Sequence, residues 1–256
     1  MNKDNTFRLS CYFFLVFMTL SFGFILPVFV ASLLGFCVII FLTRWVLNER
    51  SFLYLQIPSA AAHGREFFFS YFFGIAICAF SCFLLRMINA QYSWRVADVV
   101  GIVVFVVPVQ ALYEEVLFRS VLQQQLLSRF LKSNLLRALL LGLIFSLSHL
   151  VNYRYTAGVN LQLTTLVSLC ALGFAGGVLF QFQGNLSGTW GFHAGWNTFR
   201  FGVVHSIAGV ELMEAQTFDH LEGSLTGILV SLFVVCAVLL WTKSAQSQNP
   251  PAKASL

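Results

Sequence analysis

Charge is scarce in this sequence. Asp, Glu, Lys and Arg make up 10% of its 256 residues, where a soluble globular domain carries about 25%. Fifteen basic and ten acidic side chains cannot keep the surface of a chain this long in water. The shortage excludes a soluble cytosolic enzyme, a disordered chain, a collagen-like chain and a nucleic-acid binder. Cysteine patterning is missing too. Cys11, Cys37, Cys78, Cys82, Cys170 and Cys236 all lie in apolar runs. None has metal-type spacing, so no disulfide framework is implied. Cys78 and Cys82, one helical turn apart, read as packing residues, because free cysteine behaves as a small buried hydrophobe. No small-x-small cleavage site follows the apolar stretch after Lys3 and Arg8, so the N-terminus reads as an uncleaved first span. There is no internal repeat and no soluble second domain.

Apolar sequence fills the chain. Hydrophobic residues are 58% of it, and phenylalanine alone occurs 29 times. A helix needs about 20 apolar residues to cross the hydrocarbon core. The run 11–47 is too long for one span and is interrupted at Gly23 and Pro27. It divides into two helices joined by a tight turn, or forms one strongly tilted helix. Further spans are expected at 67–88, 96–117, 135–151, 163–182, 186–204 and 225–241. The expected fold is therefore all-α, a polytopic membrane protein of about eight transmembrane helices. It divides into N-terminal helices (1–95), a four-helix membrane core (96–205), an outer acidic loop with the last span (206–243) and a disordered tail (244–256).

Basic residues set the orientation, since cytoplasmic loops are enriched in Lys and Arg. With the N-terminus inside, the cytoplasmic side holds Lys3, Arg8, Arg44, Arg50, Arg65, Arg129, Lys132, Arg137, Lys243 and Lys253. The outer side holds Arg86, Arg95, Arg154 and Arg200, together with Glu211, Glu214, Asp219 and Glu222 before the last span. An even number of spans places both termini in the cytoplasm.

Most charge thus sorts into loops. Ionisable groups inside spans are costly and mark a cavity or a partner, so each is a functional candidate. The fourth span ends Ala-Leu-Tyr-Glu114-Glu115-Val-Leu-Phe-Arg119. Glu115 and Arg119 are four apart with the acid first, the favourable helical pairing. Glu114 points about 100° away around the helix, which leaves it free to act as a general base or acid. The bland reading is a charge cluster at the membrane edge. The fifth span ends Phe145-Ser-Leu-Ser-His149, with the phenyl ring one turn before the imidazole and able to brace it. The seventh carries His193-Ala-Gly-Trp-Asn197. His193 and Asn197 share one face, and Ala194 and Gly195 permit close helix approach. Their N–H groups suit a developing oxyanion, or simply an interhelical hydrogen-bonded pair.

The ordered set Glu-Glu-x-x-x-Arg, Phe-x-x-x-His and His-x-x-x-Asn resembles the CPBP intramembrane proteases, the family that includes the type II CAAX prenyl endopeptidases. The resemblance covers about 99–200. It implies that Glu114 activates the attacking water with help from His149. It implies further that His193 and Asn197 stabilise the oxyanion, and that Glu115 and Arg119 fix the geometry. Zinc would accept Glu114, His149 and His193 and leave one open position. No His-Glu-x-x-His motif is present, and Asn197 fits an oxyanion hole better than a metal shell, so the metal-free mechanism is favoured and no cofactor is required. The expected partners are the lipid bilayer and a protein or peptide substrate at the membrane, lipidated or not. The expected location is a bacterial inner membrane. The competing readings are a proton-coupled transporter, for which the inverted repeats common among transporters are missing, and a non-catalytic scaffold or immunity protein.

Depth along the helices gives one conflict. Counting 1.5 Å per residue from the cytoplasmic side, Glu114 and His149 lie at roughly 20–25 Å and about 21 Å, but His193 lies only about 10 Å in. The charge-free stretch 183–188 is therefore expected to sit below the membrane surface, or the seventh helix to be tilted. Smaller features read as follows. Gly173 and Gly177 form a packing face, Gln110 sits one turn before Glu114, Arg200 anchors its helix at the outer interface, and His63, His205 and His220 are solvated.

Overall fold

A computed structural model of the chain describes residues 37, 41, 60–88, 100–155, 163–203 and 225–248. Within them the architecture is all-helical, without a strand. The expected division of 11–47 and the outer acidic loop lie outside the described residues. So do His205 and His220.

Helix α1 spans Ala60–Ile88. Helix α2 spans Val100–Glu115 and continues without a break as a π-helical segment, π1, over Val116–Leu127. One α-turn, Ser128–Phe130, closes it. Then come α3 (Asn134–Tyr155), α4 (Leu163–Gln183), α5 (Ser187–Val203) and α6 (Leu225–Gln248). Seven of the sixteen residues of α2 are β-branched, a composition that favours strand in water. Helix wins because a lone segment among apolar neighbours must satisfy its backbone groups internally. The α1 window His63–Leu84 and the whole of α4 are long and apolar enough to cross a membrane. Both α1 and α3 turn apolar faces outward, with Phe68, Phe69, Phe72, Phe80 and Phe83 on one and Leu136, Leu139, Leu143 and Leu147 on the other. Apolar faces this continuous fit lipid and not water.

The helix of the fourth expected span does not stop at Leu117. It runs on through π1, where ten of twelve residues are buried. Gln123, fully buried, donates from Nε2 to the Gly177 carbonyl at 2.9 Å, so α4 satisfies part of its polarity. Helix α6 likewise continues past Trp241 through Gln248, into sequence assigned to the tail.

Glycine decides how closely the helices meet. Gly191 and Gly195 on α5 lie directly against the Phe67 and Tyr71 carbonyls of α1, and Gly74 of α1 lies against the Phe192 carbonyl. A Cβ at any of the three would strike backbone. Helices α3 and α4 approach in the same way, since a Cβ on Gly142 would lie 2.6 Å from the Cys170 carbonyl oxygen and one on Gly173 would lie 3.0 Å from Gly142 Cα. Gly173 and Gly177 are thus the packing face the sequence suggested. Cys78 and Cys82 are buried, in a cluster with Trp196 of α5 and Val230 of α6.

The stretch 183–188 forms a tight turn that leads from α4 into α5. Gly184 (φ +69°) takes the left-handed conformation that ends a helix, and its N–H donates to the Phe180 carbonyl at 2.9 Å. The Asn185 side chain then accepts from the Ser187 N–H at 2.8 Å and opens α5. Leu186 and Ser187 are fully buried, and Leu186 packs on Val116 and Phe180. Helix α5 therefore begins inside the protein, beside the junction of α2 and π1, and not at a surface.

Candidate active site

The two glutamates sit at the end of α2, where the backbone changes from α to π. π-type distortions recur at functional sites. Glu115 and Arg119 form a buried ion pair with Glu115 Oε2 3.1 Å from Arg119 Nε, and their side chains are 2% and 4% exposed. The contact is electrostatic, without good hydrogen-bond alignment. The Glu114 side chain, one residue earlier, keeps 16% exposure and accepts from Gln110 Nε2 at 3.2 Å.

His193, from α5, lies across both acids. Its Nδ1 is 2.9 Å from Glu115 Oε1. Its Nε2 is 3.6 Å from Glu114 Oε2, beyond hydrogen-bonding distance but within ion-pair range. An ionised carboxylate only accepts, so the Nδ1 of His193 carries the proton that faces Glu115. The Thr189 hydroxyl, one turn before His193 on α5, donates to the Leu186 carbonyl at 3.3 Å and lies close enough to Glu115 to act on it. The sequence reading left Glu114 without a partner. Tertiary packing supplies one, because the opposite nitrogens of one imidazole reach two carboxylates that diverge around their own helix. The indole Nε1 of Trp190 ties α5 to α2 by donating to the Pro108 carbonyl at 2.8 Å.

Phe145 on α3 is the hub of the aromatic contacts. Its ring centroid lies 4.6 Å from that of His149 and 6.2 Å from that of His193. Phe118 packs edge-on at 5.1 Å, and the Arg119 guanidinium carbon lies 5.6 Å from the Phe145 centroid. The Nδ1 of His149 is 2.8 Å from the Phe145 carbonyl oxygen, itself only an acceptor, so Nδ1 carries the hydrogen and Nε2 presents a lone pair. Glu114 and His193 both act electrostatically on this imidazole.

Asn197 lies one turn beyond His193 on α5 and is 9% exposed, with no hydrogen bond to another described residue. Arg200 follows one turn later. It is 8% exposed, which corrects its reading as an interface anchor: it is buried and acts electrostatically on His149. His63 lies in the first turn of α1, half-exposed, 3.5 Å from Glu66. Among the described residues no three His, Cys, Asp or Glu side chains group closely enough to hold a metal ion. Glu114, His149 and His193 therefore present no preformed zinc ligand set. Thr189 was missed in the sequence, although its four-residue spacing before His193 puts both on one face of α5.

Residues 96–199 match the type II CAAX prenyl endopeptidase Rce1-like family. The match begins just before α2 and ends within α5, and it contains all three motifs. The family is one of membrane-integral endopeptidases of the CAAX type. No curated protein and no solved structure matches the chain.

Proposed function

We propose that the chain is an intramembrane endopeptidase in which Glu114 activates water. The observation that carries this reading is the meeting of Glu114 with His193, 3.6 Å apart, from helices that begin eighty-seven residues from one another. Both side chains keep 16% exposure while Glu115 and Arg119 are sealed. Water can therefore reach the first pair and not the second.

The hydrogen-bond roles give a mechanism. A water beside Glu114 donates one hydrogen to the carboxylate and the other to the lone pair on His149 Nε2. Its own lone pair then faces the scissile carbonyl. Glu114 takes the proton as attack proceeds and returns it to the leaving amine, as a general base and then a general acid. With Nδ1 committed to Glu115, His193 can donate from Nε2 only as an imidazolium. In that form it stabilises the tetrahedral oxyanion together with the Asn197 amide. Two carboxylates then balance His193 and Arg119, so the cluster is neutral before substrate binds. Zinc has no step in this scheme.

The substrate is a protein or peptide segment at the membrane, lipidated or not. The chain spans the membrane about eight times with both termini in the cytoplasm, in a bacterial inner membrane. The four helices of 96–205 form the catalytic core. The test is cleavage by reconstituted protein, with membrane peptides compared in the presence and absence of the enzyme. Glu114→Ala and His149→Ala should each abolish hydrolysis and leave the fold intact. Retained cleavage by both variants would falsify the mechanism.

A further inference from the structure

Helix α4 carries none of the three motifs, yet it packs against the centre of the site, at Gly173 on Phe145 and at Gly176 on Arg119. A Cβ built on Gly176 would lie 2.6 Å from Arg119 Nη2 and 3.3 Å from both Cζ and Nε. The guanidinium thus occupies the space that a side chain at position 176 would fill. Its carbon is also 5.6 Å from the Phe145 ring centroid, and its Nε holds Glu115 at 3.1 Å. Glu115 in turn holds His193 Nδ1 at 2.9 Å.

We propose that Gly176 is a positioning residue for the reaction: its missing side chain seats the Arg119 guanidinium, which fixes Glu115 and, through it, the ring of His193. The inference rests on the protease reading for its kinetic consequence but not for its geometry. The far end of an arginine normally swings aside at little cost. Here the residue is 3% exposed and in contact with Phe145, Glu115 and α4. A methyl group at 176 therefore pushes the guanidinium off Glu115, and the imidazole turns with its carboxylate. Close packing makes the displacement felt, because rigid interiors transmit strain.

The experiment is a double-mutant cycle in detergent-solubilised full-length protein, combining Gly176→Ala with Arg119→Lys. Lysine lacks the terminal nitrogens that the new methyl would strike. Gly176→Ala alone should lower kcat about 10–100-fold, a loss of one to two orders in transition-state stabilisation, with KM changed by less than about 3-fold. In the Arg119→Lys background the same substitution should change kcat by no more than about 2-fold. A second readout needs no substrate. In protein labelled with ¹⁵N-histidine, the His193 Nδ1 resonance should move in Gly176→Ala and stay unmoved when Gly176→Ala is added to Arg119→Lys. If Gly176→Ala fails to fold but folds in the Arg119→Lys background, the clash is with Arg119, as proposed. Equal losses in both backgrounds, an unmoved His193 resonance, or misfolding in both backgrounds overturns the proposal. Failure of wild type to cleave any peptide, with the resonance still shifting, would reject the protease reading and leave the positioning intact.

Discussion

Replacing Glu115 by glutamine should cost stability first and turnover second, whereas the same change at Glu114 should cost turnover alone. The two residues are adjacent and chemically identical, so the contrast comes only from surroundings. Glu115 is 1% exposed and is the 3.1 Å counter-ion of Arg119, whose side chain is 4% exposed. Arginine cannot shed its proton to escape burial. Removing one partner of a buried pair typically costs about 3–5 kcal/mol, because the other charge is left uncompensated. For a protein of this size each kcal/mol moves the melting midpoint by roughly 2–4 °C, so a fall of roughly 6–20 °C is expected. Glutamine at 114 keeps its volume, its water-facing position and a hydrogen-bonding group for Gln110, so stability should change by no more than about 1 kcal/mol. It cannot accept the proton of water, and kcat should fall roughly 10²–10⁴-fold. Unfolding can be followed with a thiol-reactive dye as the gain over labelling of the exposed Cys37 and Cys236, since Cys78 and Cys82 are 0% and 5% exposed and label only on opening. Turnover can be followed on a membrane-anchored fluorogenic peptide. A Glu115→Gln protein as stable as wild type, or a Glu114→Gln protein that still cleaves, would refute the division of labour.

Four further outcomes are expected. Asn197→Ala should lower kcat about 10²–10³-fold with little change in KM, as loss of an oxyanion donor does; equal activity would remove Asn197 from the site. Gly195→Ala should destabilise by about 1–3 kcal/mol, because the new Cβ meets the Tyr71 carbonyl. Gly64→Ala meets nothing within 4 Å and should be neutral or stabilise by up to about 1 kcal/mol in the same melting assay. Prolonged chelation should leave cleavage unchanged; inhibition that added zinc reverses would require a metal and replace the glutamate-only mechanism.

The helices and the motif residues were legible in the sequence for one reason. In a chain with so little charge, a charged or imidazole side chain within an apolar run stands out, and burying it there is costly unless something compensates. That logic located Glu114, Glu115, Arg119, His149 and His193, and it correctly paired Glu115 with Arg119 by spacing. It failed where compensation came from another helix. The fourth span was expected to end at Leu117, and nothing in the sequence says that Gln123 will find the Gly177 carbonyl. Arg200 looked like an interface anchor because helix position was all there was to judge it by. The residue count for the depth of His193 assumes that each helix starts at a surface, and α5 starts at the buried Leu186 and Ser187.

The sequence by itself determined that the chain is helical and apolar, and it narrowed the chemistry to a handful of polar groups on three helices. Composition and spacing suffice for that, because they act through local geometry and solvation. Only the tertiary structure decided what surrounds each of those groups. Glu114 and Glu115 differ in surroundings because α5 brings one imidazole across both, and because Arg119 seals the second while the first keeps 16% exposure. The space that holds Arg119 is made by a glycine fifty-seven residues away, on a helix with no motif of its own. Burial and distance between helices are properties of packing, and they give two adjacent glutamates different surroundings.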